Sequence, residues 1–176
     1  MAKLRKTLGS PQAPYIVSLM RLIQTQSKTT IANWCLDYAE VQILPVYAKA
    51  YPGDGRVGMA IGAARSWLAG EVKLPYVKRI ILDECHAAAR QAEDHPAAQA
   101  AARAVGQAAS VIHAPAHALG IAFYGTAAIA YDRVGTGESP EVYEKIAAEE
   151  CAKMEAALRV VAIADEKNPA KINWRF

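Results

Sequence analysis

The 28 residues from Ala104 to Tyr131 contain no Asp, Glu, Lys or Arg. In a chain of 176 residues, a run that apolar either crosses a membrane or forms the helix that the other elements surround. It is long enough to span, since about 20 residues suffice. Gln107, Ser110, His113, His117 and Thr126 interrupt it, however, and many of its positions are Ala or Gly. It lacks aromatic belts at both ends, and no second apolar run accompanies it, so a buried central helix is the better reading and no membrane partner is expected.

The remaining pattern is helical throughout, with no alternation of β-branched residues that would mark strands. Six segments emerge. The first runs from about 11 to 26, with Ile16, Leu19, Met20 and Ile23 at core spacing, and Thr29 or Thr30 is expected to cap the next. The second, 31–50, carries Ile31, Trp34, Cys35, Tyr38 and Val41 on one stripe. Pro45 inside it predicts a kink near 41–44, because proline has no N–H and crowds the preceding turn. A third helix is expected over 55–69 after an Asp54 cap, and a fourth over 75–93.

The fifth element, 96–131, follows a cap at Asp94. Pro115 predicts that it bends sharply or breaks between 112 and 115. A sixth begins at Ser139-Pro-Glu141, a capping hydroxyl followed by a proline in the first turn and a carboxylate near the positive helix end. The predicted fold is therefore all-α: one domain over 1–176, six to seven helices around an Ala/Gly-rich central element kinked near Pro115. A flexible 1–10 segment and a tail at 168–176 docked through Trp174 and Phe176 complete it.

Charge is mild overall at +3 but uneven. Residues 1–90 hold 12 Lys and Arg against 6 Asp and Glu, and residues 91–176 hold 8 against 11, giving +6 and −3. The basic N-terminal residues have no interleaved aromatics, so no nucleic-acid partner is expected. Basic residues 3–6 lead into Gly9-Ser-Pro11 rather than an apolar segment, which argues against a signal peptide. Cys35, Cys85 and Cys151 sit in apolar helical patterns without CxxC spacing. Buried free thiols in a reducing cytoplasm are the expectation.

The chemistry-bearing candidates are few. His113 and His117 share a face of an unbroken helix and could hold a metal if His86, His95, Cys85 or Asp83 supplied a third ligand. They could instead face a small-ligand pocket, or simply satisfy their ring nitrogens in packing. Cys85 and His86 are adjacent and point apart on a helix, so they form no nucleophile–base pair. GxSxG, GxGxxG and phosphate-loop patterns are missing, and Gly53-Asp-Gly55 is too short for a calcium loop, so no cofactor and no catalytic residue is expected. Glu141, Glu144, Glu149 and Glu150 gather in the sixth helix, where an acidic face could steer a basic protein partner. Alanine-rich helix faces could equally meet in a homo-oligomer.

The segments AIGAARSWLAGE (60–71) and HAPAHALG (113–120) resemble the bacterial Imm5-like immunity proteins, over about residues 30–133. The matching positions are Arg65, Trp67, Gly70, His113, His117 and Gly120. The resemblance implies a small helical cytoplasmic protein that binds and neutralises a toxin without catalysis. From the residues alone, Trp67 is large enough to anchor its helix, Gly70 ends it, and Arg65 is placed to pair with a carboxylate. The alternative is a small-ligand or metal-binding helical protein, possibly an enzyme, with its site at His113 and His117.

Overall fold

The computed structural model describes residues 4–176 as a single all-helical bundle, and no strand occurs among them. Its rods are α1 (Pro14–Ile23), α2 (28–50), α3 (Arg56–Leu68), α4 (74–91), α5 (Pro96–Ser110), α6 (119–134) and α7 (Pro140–Val161). The seven rods match the upper of the two expected counts. No helix among the described residues is long and apolar enough to cross a membrane. The uncharged run is divided between α5 and α6, which explains why its length never becomes one span.

Prolines and capping groups set the boundaries. Pro14, Pro96 and Pro140 each open a helix from the first turn, where the missing N–H costs nothing. Several expected caps move. Ser27, rather than Thr29 or Thr30, accepts the Thr30 N–H at 3.2 Å and starts α2 at Lys28. Asp54 accepts the Arg56 N–H at 3.1 Å, as expected of a helix start, while the Arg56 guanidinium clamps the same carboxylate at 2.7 Å. That clamp holds the Asp54 carboxyl well below its usual range. Asp94 does not cap α5: His95 occupies the cap position through its backbone, and its carbonyl accepts the Gln99 N–H at 2.8 Å.

Three rods contain a π-turn, at Ala39–Ile43 in α2, Ile81–Cys85 in α4 and Ile121–Gly125 in α6. The first lies where Pro45 was expected to kink its helix, and widening the turn is how that helix continues past the proline. The third puts a carbonyl to use elsewhere: Phe123 O accepts the Leu8 N–H at 3.1 Å. Leu8 is buried, and Arg5 O accepts from the Tyr131 hydroxyl. Arg5 and Leu8 thus bond to α6, while residues 1–3 of the segment expected to be flexible lie outside the described residues.

The centre is α5, which touches α2, α3, α4 and α6. Its buried positions are almost all Ala or Gly, with Val105 the largest. Small side chains let neighbouring backbones come close, so the central helix contributes area through many short contacts. Larger groups come from around it: Ile16 and Leu19 of α1, Ile31 and Leu36 of α2, Met154 and Leu158 of α7 are all buried. The break after α5 spans 111–114 and resumes in a 3₁₀ turn at Pro115–Ala118, so the element is interrupted rather than kinked. Ala114 is extended, the conformation a following proline imposes.

The C-terminal segment is held by polar and apolar contacts. Ala170 N–H donates to Gln26 O at 2.8 Å, and the buried Gln26 side chain takes the Ile163 N–H at 2.7 Å. Trp174 packs on the core, whereas Phe176 is 67% exposed and meets the edge of Phe123. Cys35, Cys85 and Cys151 are buried and free. Burial pushes the Cys85 and Cys151 thiols up to about 12, so none stands ready as a thiolate.

Candidate functional site

The residues predicted to carry function divide into three places. The first is the histidine region around the break between α5 and α6. His113 and His117 lie 5.7 Å apart between ring centres, with His113 exposed and His117 half-buried. The His117 Nδ1–H donates to Gln107 Oε1 at 2.7 Å. Gln107 reaches that ring because Gly120 leaves room: a Cβ there would stand 2.3 Å from Gln107 Cβ. His86 of α4 lies against Gly106, where a Cβ would come within 2.8 Å of its ring.

This arrangement does not assemble the metal set that the spacing allowed. Among the described residues no three His, Cys, Asp or Glu side chains converge on a common point. None of the four candidate third ligands completes a set among the described residues. Cys85 Sγ–H donates to Ala102 O, and His95 packs edge-on against Tyr51. Asp83 is exposed, and His86 rests on α5. His113 and His117 stay within reach of each other, and what is missing is a third ligand beside them.

Burial acts on all three imidazoles, and neighbouring cations act on two of them. Burial lowers the His86, His113 and His117 values from 6.5, and Arg90, Arg103 and His117 reinforce the shift at His86, as Lys78 and His117 do at His113. Each imidazole therefore holds its proton less tightly folded than unfolded. The stability this provides is complete above pH 6.5 and drains away as pH falls toward the lowered folded values. Urea midpoints should accordingly be lower at pH 5.5 than at pH 7.5, and His86→Gln with His117→Gln should flatten the difference. A midpoint that rises on acidification would contradict the assignment.

The second place is the acidic helix, which does not present one surface. Glu150 is only 3% exposed and is bound by Arg133 and Lys153, each at 2.7 Å. Glu144 accepts the Tyr15 hydroxyl at 2.6 Å from α1, and Glu149 lies 3.9 Å from Arg133. Glu141 stands exposed at the first turn of α7. The carboxylates project around the helix toward α1 on one side and α6 on another, so they join elements rather than form an acidic face. Their lateral partners lie more than a hundred residues away in the case of Tyr15 and Glu144, which no local pattern reveals.

The third place is the face shared by α2 and α7. Arg65 of α3 bridges to Asp37 at 2.9 Å and Glu40 at 2.5 Å on α2, the carboxylate pairing expected of it. Trp67 is half-buried against the core. Beside the Arg65 cluster is an open groove of about 440 Å³, floored by Trp34 and Tyr38 and rimmed by Asp37, Val41, Lys153 and Val161. Val41 is 65% exposed and Val161 46%. Trp34 joins the two helices through its indole N–H, which donates to Met154 O at 3.1 Å. The apolar stripe read from the sequence includes Trp34, Tyr38 and Val41; that its outer edge stays uncovered is a tertiary fact.

No curated protein and no solved structure matches the chain. The family model described as Imm-5 like putative immunity protein matches residues 21–157, from α1 through most of α7 and including both segments that carried the resemblance. With all of α2 to α6 and the Arg65 and His117 regions inside the match, the chain belongs to the Imm-5 like putative immunity protein family.

Proposed function

We propose that this protein binds a protein toxin one-to-one in the cytoplasm and neutralises it by occlusion, without catalysing a reaction, and that the α2–α7 face is where the toxin docks. Membership of an immunity family supports the class of function. The observation that carries the location is the pair of exposed valines, Val41 and Val161, over a Trp34–Tyr38 floor with Asp37 and Lys153 at the rim. Uncovered apolar side chains inside a charged rim have the anatomy of a protein interface. The charges at the rim are held in place from within, Asp37 by Arg65 and Lys153 by Glu150, so docking orders few new side chains.

The test takes a candidate toxin domain sought among the neighbouring genes, mixes it with the purified protein and follows binding by calorimetry and function by rescue of toxin-arrested growth. Val41→Asp and Val161→Asp should each weaken the complex by about 2 kcal/mol, roughly thirtyfold, while leaving the melting temperature nearly unchanged. Wild-type affinity in both variants would remove the docking face from the proposal. Absence of any complex would remove that toxin as the partner. Sedimentation of the protein alone checks the competing occupant of the face, a second copy of the chain; a monomer is expected.

A further inference from the structure

A separate groove of about 550 Å³, which shares no lining residue with the α2–α7 groove, falls in the size range of small-molecule sites. Its walls include Phe123 and Tyr124 of α6 and Trp174 and Phe176 of the C-terminal segment, and its polar members are Gln107 and His117 together with Thr7, Asn173 and Arg175. The Gln107–His117 hydrogen bond fixes the polarity of what remains. With Gln107 Oε1 taking the Nδ1 proton, His117 Nε2 is left as an acceptor and the Gln107 amide NH₂ as a donor. Neither nitrogen has a partner among the described residues, and neither is sealed from solvent.

A glycine at 120, where the helix itself requires none, keeps space for the Gln107 side chain. The Trp174 wall carries a further asymmetry: its indole N–H is buried and makes no hydrogen bond. A buried donor left unpaired is costly, so this wall gains from any rearrangement that brings it an acceptor.

The geometry points to a binding site for a small planar ring bearing an amide, with the ring between the aromatic walls, its N–H toward His117 and its carbonyl toward Gln107. Stacking suits a flat π-system, and at the Gln107–His117 pair one donor with one acceptor selects a lactam-type ring over a hydrocarbon. This site is independent of toxin binding, and neither proposal stands or falls with the other.

The probes are 2-pyridone, N-methyl-2-pyridone and toluene, titrated into the full-length protein and followed by NMR of the histidine ring and tryptophan indole signals. Saturable binding of 2-pyridone that shifts His117 and Trp174 is expected, with N-methyl-2-pyridone and toluene at least about tenfold weaker. Gln107→Leu should cost a similar factor, and Phe176→Ala, an exposed wall residue, should weaken binding without altering the fold. Equal affinity for toluene and 2-pyridone would reduce the groove to an apolar patch and overturn the proposal. So would the absence of saturable shifts. The two blocked probes and Phe176→Ala decide the matter even if Gln107→Leu fails to fold.

Discussion

Trp34→Ala is expected to lower the unfolding free energy by about 3–5 kcal/mol, the range for deleting a large buried aromatic. The residue is only 3% exposed and forms the floor between α2 and α7, so its removal leaves a void that helices on both sides cannot fill without moving. In a chain of this length the melting temperature should drop on the order of 10 °C. Trp34→Phe divides the effect into parts. It keeps most of the ring volume and loses the N–H donated to Met154 O, which should cost about 1 kcal/mol. A Trp34→Ala loss below that of Trp34→Phe would mean that the indole does not hold the two helices together. The contrast with Val41→Asp separates stability from binding on one face, since Val41 projects into solvent and Trp34 does not.

Gly120→Ala should destabilise the protein by about 2–3 kcal/mol even though alanine is the better helix former by about 1 kcal/mol. Gly120 has φ −60°, ordinary helical backbone, so the cost is steric and not conformational. The added Cβ would meet Gln107 Cβ at 2.3 Å and Cγ at 2.4 Å. The first of these atoms is fixed to the α5 backbone and cannot swing away. Gln107→Gly should therefore rescue Gly120→Ala in large part, whereas Gln107→Ala, which retains the Cβ, should not. Thermal denaturation of the single and double variants measures the coupling directly. Gly62→Ala is the control: nothing lies within 4 Å of a Cβ there, and that substitution should be neutral or slightly stabilising. Similar behaviour at both glycines would contradict the close approach of α5 and α6.

What could be read along the chain was local. Pro140 begins α7 where Ser139-Pro-Glu141 placed it, and Pro115 follows the break between α5 and α6. Arg65 meets carboxylates because it is a long cation beside an acidic helix turn. What could not be read along the chain depended on distance between elements. Glu150 looked like its neighbours in an acidic helix, yet it is buried under Arg133 and Lys153. His113 and His117 looked like paired ligands, yet the hydrogen-bond partner of His117 is Gln107, an amide on α5 that the sequence showed only as an interruption of the apolar run. Gln107 left one faint signal, a polar residue in an otherwise uncharged helical run.

By itself, the sequence determined the helical class, the punctuating prolines, the small-residue centre and the family. Hydrophobic period, absent N–H groups and side-chain volume act over a few residues and need no knowledge of neighbours in space. Only the tertiary structure decided which polar groups are consumed internally and which remain free. Glu144 is bound by Tyr15 from 129 residues away, while Val41 and Val161, ordinary members of apolar patterns, stay uncovered. Burial is a property of the packed assembly, and the surfaces available to a partner are those that packing leaves over.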